Sequence, residues 1–599
     1  MHTADETRRR FLANLTGVGL GSTLLPGVLW GQMQQDGAQH VTPEMLHGAI
    51  VVAGLSFFSD EDEKALLRSV NQSLGRYDDL RKLHIPINVA PPFYFSSIVP
   101  GMKIDRARMP FRASTPAVKR PANLEDVASW PIVQMAQLIK TRQVTSLELT
   151  QMYLARLHKY NVKLNCVVTY LDDVAIAQAK QADAEIAAGH YKGPLHGIPW
   201  GAKDIIAVKG YRTTWGSGAF KDQVLEEEAS VVELLRNAGA VLLAKLASGE
   251  LAGGDQWWGG QTRNPWNNQE GSYGSSAGPG SATGGCLVPF GIGTETGGSI
   301  LHPSSRCGVT CLRPTFGRVS RYGVMTASWT QDRVGPLCRY AEDCALVMSV
   351  IARPDDRDMS VSDIPFNWDA HYDIKTIRVG YLKESFDETK DPVTKRNNEK
   401  TLEQVQAMGF KLTPVTVPDW NLDGSGMGVE SGAFMDEFLR SGRDKLLTNP
   451  SRGAGMRSAR LVPAVEYLQS QRARAMMMAK LAEATAEVDV YIAPADRSVT
   501  GADPDKPGAP TGGEGGATRG PQGPTIRHFN MANLACYPAL AMPNGFSDSG
   551  TPGSIIFYGR PFNETQILAL GKAYQDATGF HLKHPNLDSQ PSLQPATVS

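Results

Sequence analysis

The stretch YGSSAGPGSATGG (273–285) sets three serines among glycines, and its reading decides the rest of the chain. Gly274-Ser275-Ser276-Ala277-Gly278 fits G-x-S-x-G, a nucleophile elbow in which Ser276 attacks and an acid and a histidine must follow. His528, His581 and His584 lie downstream, but none has a distinctive context. A second reading uses neighbouring motifs instead, and it assigns the chemistry to different serines.

Downstream stands TETGGSIL (294–301). Gly297 and Gly298 before Ser299 allow successive backbone N–H groups to converge on one point, because glycine accepts dihedrals that other residues avoid. Such a nest of donors, Thr296, Gly297, Gly298 and Ser299, is what an oxyanion needs. For TGGS taken alone, a structural glycine turn is the better reading. Upstream, LHGIPWGAKDIIAVKG (195–210) places Lys203 in an apolar stretch after a tight turn. A lysine there is ordinarily a solvated charge at a strand end. When desolvated, it loses its proton readily and becomes a base.

Taken together, the lysine of GIPxxxKD, the serine pair of GSSxG and the serine of TGGSI resemble the amidase signature family. Lys203 stands 72 residues before Ser275, in keeping with that family's layout. The resemblance runs from about 124 to 585 and includes KLASGEL, TRNPWN (262–267), LRPTFGRVSRYG (312–323), VGPLCRYAEDCALVMSVI (334–351), DVYIAPA (489–495) and NLACYPALAMPNGF. It implies an α/β fold with a large, mixed, twisted sheet covered by helices on both faces. It also implies a Ser-Ser-Lys triad: Ser299 as nucleophile, Ser275 as proton relay behind a cis Gly274–Ser275 peptide, Lys203 as base and Ser276 in support. The implied reaction is hydrolysis of a linear amide C–N bond of a small molecule through an acyl-enzyme, with no cofactor and no metal.

Some positions depart from the family's pattern. Tyr273 and Pro279 stand where small residues are usual and are expected to narrow the approach to the relay. Glu295 and Leu301 replace the usual Asp and Arg, which implies a pair that changed together, with no acid–arginine contact left to satisfy. Trp257 and Trp258 read either as a wall of the acyl pocket or as packing aromatics. Three rival functions remain at this point: the glutamine-hydrolysing component of a tRNA-dependent amidotransferase, a non-catalytic binding protein, and a Ser-His-Asp α/β-hydrolase. The substrate-binding residues and the particular amide are not legible.

The bulk composition fits a soluble globular protein. Of 599 residues, 41% are hydrophobic, and 60 basic against 61 acidic residues leave a formal charge of −1. No overall field draws nucleic acid or an anionic membrane to such a chain. Sixty glycines, roughly a tenth against a usual 7% or so, concentrate between 253 and 323. Seven cysteines, sparse and odd in number, argue against a disulfide framework. Cys307-x3-Cys311 with His302 nearby lacks a second pair at ligand spacing, so both read as buried small hydrophobes.

Along the chain, Arg8-Arg9 followed by Phe11-Leu12 and a glycine-interrupted apolar run resembles a twin-arginine export signal, expected over 1–31. Export to the periplasm follows, with no stable membrane span. Residues 32–123 form a mostly helical extension, 124–585 the catalytic domain and 586–599 a disordered tail; 501–525 reads as a Gly/Pro-rich loop. Within the domain, 130–161 reads as two amphipathic helices with a Thr-Ser cap between them. CVVTYL, VLLAKL and IRVGYL read as buried strands of a layered sheet. The expected partner is the small-molecule amide, with no nucleic acid, and a homodimer is left open.

Overall fold

Capping and apolar spacing set the first helices. In the computed structural model, α1 (Ile132–Lys140) buries Ile132, Val133, Met135, Leu138 and Ile139. A short turn leads to α2 (Ser146–Leu164), whose N-cap Thr145 accepts from the Glu148 N–H while the Glu148 carboxylate takes the Thr145 N–H. That reciprocal capping box satisfies two otherwise orphaned donors and fixes where the helix starts. Gly197 then runs close to Ser146, whose hydroxyl donates to the Gly197 carbonyl at 2.9 Å. The helix is thereby tied to the turn that leads into the strand bearing Lys203.

The structure describes residues 41–53, 59–60, 63–64, 66–67, 70, 95–420, 425–459, 462–495 and 522–593. The expected export signal, nearly all of the Gly/Pro-rich loop and the last six residues lie outside them. The chain forms two compact units, 1–89 with 458–466 and 90–457 with 467–599. In the smaller, helix Pro43–Val52 starts at an N-cap Thr42 with proline in its first turn and buries Leu46 and Ile50. No helix among the described residues is long and apolar enough to cross a membrane.

The larger unit is built on one sheet. Its strands are β1 (Val167–Tyr170), β2 (Pro199–Lys203), β3 (Val241–Leu246), β4 (Gly291–Glu295), β5 (Thr310–Arg313), β6 (Arg333–Cys338), β7 (Val379–Leu382), β8 (Leu412–Val415), β9 (Val490–Pro494), β10 (Ala539–Phe546) and β11 (Pro552–Gly559). They lie in the order β1-β3-β2-β4-β6-β5-β10-β11-β9-β7-β8. Parallel pairs (β3 with β2, β2 with β4, β9 with β7, β7 with β8) mix with antiparallel ones, so the sheet is of mixed type. The central strands β2, β3, β4, β5, β6 and β9 are buried at every residue, as expected where helices cover both faces. The strands expected at 166–171, 241–246 and 377–382 are β1, β3 and β7; β3 is buried throughout and β7 at all but Tyr381, whereas β1 lies at the sheet's edge and is buried only at Val167, so its apolar run does not mark a fully buried strand.

The helices that bear on the site are α3 (Asp172–Ala187), α4 (Ala277–Gly284), α5 (Leu301–Cys307), α6 (Ala341–Ile351), α7 (Ser425–Phe434), α8 (Ala464–Ala484), α9 (Pro524–Leu534) and α10 (Glu564–Thr578). Glycine and alanine make α4 thin enough to lie inside the molecule, with all eight residues buried. A Cβ at Gly278 would come within 2.2 Å of the Ala247 nitrogen. Pro279, expected to narrow the approach to Ser275, instead packs in this helix against Gly291 of β4. All seven cysteines are free and buried, and burial pushes the Cys307 and Cys311 thiols well up.

Two terminal segments settle on the larger unit. Residues 95–123 run largely without regular structure, and Ser114 gives its N–H and hydroxyl to Glu342 of α6 at 2.7 and 2.8 Å. Residues 586–593, assigned above to a disordered tail, are anchored to the domain at several points. Leu587 is buried, Lys163 of α2 donates to its carbonyl, and Asn268 donates to the Pro591 carbonyl at 2.6 Å. A buried leucine and these backbone contacts outweigh the polar, proline-containing composition that pointed to disorder.

Candidate active site

Lys203 ends β2, between β3 and β4, and its side chain is wholly buried. Its Nζ donates to the Ser275 hydroxyl and to the Thr294 hydroxyl, each at 2.8 Å. The adjacent Asp204 does not serve it. That carboxylate takes Lys245 Nζ at 2.9 Å and the Thr214 hydroxyl at 2.5 Å, all buried. A second lysine thus neutralises the nearby acid, and both of the Lys203 contacts given above are uncharged hydroxyls.

Ser275 follows the cis Gly274–Ser275 peptide. Gly274 is required by space: a Cβ there would stand 1.8 Å from the Gly254 carbonyl oxygen. Ser276 is engaged in structure. Its hydroxyl donates to the Thr294 carbonyl at 3.1 Å and accepts the Thr294 N–H at 3.2 Å. Its own N–H donates to the Ser299 carbonyl at 3.1 Å, which sets the Gly-Ser-Ser turn against the Thr-Gly-Gly-Ser turn. Ser275 is 1% and Ser299 5% exposed, so both hydroxyls sit in a nearly dry site.

The turn at 296–299 joins β4 to α5. Gly298 has φ +113°, and a Cβ on it would meet the His302 ring at 2.2 Å. Only glycine fits there without displacing that ring, which stacks on Phe529 of α9 with centroids 5.0 Å apart. On the side where a Cβ of Gly297 would lie, nothing approaches within 4 Å. The Gly297 and Gly298 N–H groups have no acceptor among the described residues. Backbone donors inside a protein are ordinarily paired, so two left open side by side beside a serine, on half-buried Gly297 and buried Gly298, suit a ligand oxygen.

Glu295 corrects a sequence expectation. It has an arginine partner, supplied not by position 301 but by Arg313 of β5, at 2.9 Å with both side chains fully buried. The other carboxylate oxygen accepts the Ile300 and Leu301 N–H groups at 2.8 and 2.9 Å. Burial alone would push this carboxyl up, but the Arg313 and Arg333 guanidiniums hold it below the usual range. Leu301 can therefore be apolar without stranding a charge. Tyr273 lies under the Arg306 guanidinium, 4.9 Å from its ring centroid. Trp257 and Trp258 pack edge to face at 5.1 Å, and Trp258 Nε1 donates to the Thr214 hydroxyl.

The histidine reading loses its support from the same geometry. Ser276 is bonded to Thr294, and His528 is buried against Tyr491, whose hydroxyl lies 3.0 Å from Nε2. Burial lowers His528 to about 3 and His581 to about 4. Unfolded imidazoles take up protons near pH 6.5, so between these values the unfolded chain binds more protons and stability falls as pH falls. Each group is expected to remove about 2 kcal/mol between pH 7 and pH 5. Urea unfolding at the two pH values should show a smaller loss in His528→Gln than in the wild type; equal losses would refute this.

Sequence reading missed Thr294, Arg313 and Asp332, which supply contacts to the site from strands or loops. Thr294 alone carried a local signal, as a polar residue two places before Thr296 at the end of the Gly-Ile-Gly run of β4.

The family model described as Amidase matches residues 148–568. The chain is 33% identical over 492 residues to the A-type subunit of a glutamyl-tRNA(Gln) amidotransferase from Methylococcus capsulatus, covering 76% of this chain and 98% of that one. The structure is similar to that of a peptide amidase from Stenotrophomonas maltophilia, with TM-score 0.64 and 26% identity over 78% of this chain and 100% of that one. A 6-aminohexanoate cyclic dimer hydrolase, 20% identical with TM-score 0.63 over 77% of this chain and 99% of that one, shares the fold.

Proposed function

This chain belongs to the amidase signature family of hydrolases acting on C–N amide bonds, and on that premise we propose that it hydrolyses a small-molecule amide through Ser299, Ser275 and Lys203. The observation that carries the reading is the buried Lys203 Nζ donating to Ser275 at 2.8 Å beside the glycine turn that bears Ser299. Neutral Lys203 takes a proton from the Ser275 hydroxyl as Ser275 takes one from Ser299. The Ser299 oxygen attacks the amide carbonyl, and the Gly297 and Gly298 N–H groups receive the oxyanion. The relay then returns the proton to the leaving nitrogen, which would otherwise depart as an amine anion. Water, activated by the same relay, releases the acid from the acyl-enzyme.

A second reading, glutamine hydrolysis within an amidotransferase, is favoured by the identity to the amidotransferase chains. Against it stand the Arg8-Arg9 export pattern and the near-neutral charge balance. The test uses the purified chain alone on a panel of amides that differ in acyl length and charge and includes peptide amides and glutamine. Turnover of non-glutamine amides without added partners is expected. Release of ammonia from glutamine alone would hand the function to the second reading.

A further inference from the structure

Thr296 is held at its hydroxyl and at its carbonyl by two consecutive residues. Its hydroxyl donates to Asp332 Oδ1 at 2.5 Å, and its carbonyl accepts from Arg333 Nη2 at 2.8 Å. The Thr296 carbonyl and the Gly297 N–H belong to one planar trans peptide and point in opposite directions. Fixing the carbonyl on the Arg333 guanidinium therefore aims the Gly297 N–H in the opposite direction, away from that guanidinium.

The residues that do this holding are themselves held from a distance. Asp332 Oδ2 accepts the Ala327 and Ser328 N–H groups at 2.7 and 3.0 Å, which closes the loop before β6 on itself. Glu430 of α7 then grips the same loop. One carboxylate oxygen takes the Ser328 hydroxyl at 2.6 Å and the Thr330 N–H at 3.0 Å. The other takes the Thr330 hydroxyl at 2.7 Å and the Tyr467 hydroxyl of α8 at 2.9 Å. Arg474 of α8 adds bonds to the Thr330 hydroxyl and carbonyl at 2.8 and 2.9 Å. Glu430 and Asp332 are 5% and 8% exposed, so each lost bond would leave a buried polar group unpaired.

We propose that Asp332 and Glu430 are positioning residues for this hydrolysis: Asp332 fixes Thr296 and so the oxyanion-binding N–H of Gly297, and Glu430 fixes the loop that carries Asp332. Neither touches the reacting atoms. The pair ties α7 to the catalytic turn through the loop before β6, so that helix bears on the rate. The inference rests on Ser299 being the nucleophile.

The experiment compares wild type, Asp332→Asn, Glu430→Gln and the double variant, reading kcat, KM, the rate of fluorophosphonate labelling at Ser299 and the thermal midpoint. A misaimed oxyanion donor costs on the order of 100-fold when lost outright. Asp332→Asn is therefore expected to lower kcat by at least about tenfold and slow labelling in step, with KM within about threefold. Glu430→Gln should do the same to a smaller extent, about threefold to tenfold, and the double variant should fall short of the product of the two. If Asp332→Asn does not fold, Glu430→Gln carries the comparison. Unchanged kcat and labelling with only a lowered thermal midpoint would overturn the proposal, as would a raised KM at unchanged kcat. Wild type that fluorophosphonate does not label at Ser299 would remove the nucleophile reading itself, and this inference with it.

Discussion

Ser299→Ala is expected to lower amide hydrolysis by at least about a thousandfold while leaving a folded protein. The variant removes one oxygen and leaves the backbone contacts of the turn in place. The Ser299 carbonyl still accepts the Ser276 N–H, Gly298 keeps its φ of +113° against His302, and Glu295 still holds the Ile300 and Leu301 N–H groups. Loss of a nearly buried hydroxyl costs on the order of 1 kcal/mol, small against the stability of a domain this size. What remains should be the part of catalysis that binding and the Gly297–Gly298 donors supply without a nucleophile. Steady-state rates on the best amide of the panel, with the thermal midpoint as control, make the check. A folded Ser299→Ala protein with wild-type turnover would end the acyl-enzyme mechanism, and Ser275 or Ser276 would have to be reconsidered.

The parts of this site that were legible in the sequence are those whose signal is local. Glycines at 274, 297 and 298 bracket the serines, and at 274 and 298 a side chain would collide with its neighbours. Lys203 stood out because a charge ends an apolar run. Partners brought by the sheet were not legible. Arg313 reaches Glu295 from 18 residues away because β6 separates β5 from β4 in the sheet, an order that no periodicity encodes. Hence the expectation that no acid–arginine contact remains, made from Glu295 and Leu301 together, failed. Asp332 lies 36 residues from Thr296, and Glu430 lies 102 from Ser328; in the sequence each is one acid among many. The apolar runs of β3 and β7 announced a layered α/β protein, while the eleven-strand order required the tertiary contacts themselves.

Lys203 separates a base from a buried structural charge, and two substitutions tell them apart. Lys203→Met is expected to lower kcat by about a hundredfold to ten-thousandfold, the usual worth of a general base. Methionine fills nearly the same space, and the hydroxyls it strands, Ser275 and Thr294, are neutral groups free to rotate, so the protein should still fold. Lys203→Arg keeps a cation and its donors in the same place. If Lys203 served only to orient Ser275 by donating to it at 2.8 Å, arginine would restore a good part of the rate. A base must instead give up its proton before it can take one from the relay, and a guanidinium in a protein does not do so. The arginine variant is therefore expected to be as inactive as the methionine one, or worse, because its larger head must fit a site where Lys203 is 0% exposed. Fluorophosphonate labelling of Ser299 should slow in both variants, since activation of the nucleophile is the step that fails. Rapid labelling and turnover in folded Lys203→Arg would make Lys203 a fixed charge and send the search for the base elsewhere, with His528 poorly placed to answer because burial holds it neutral and bonded to Tyr491.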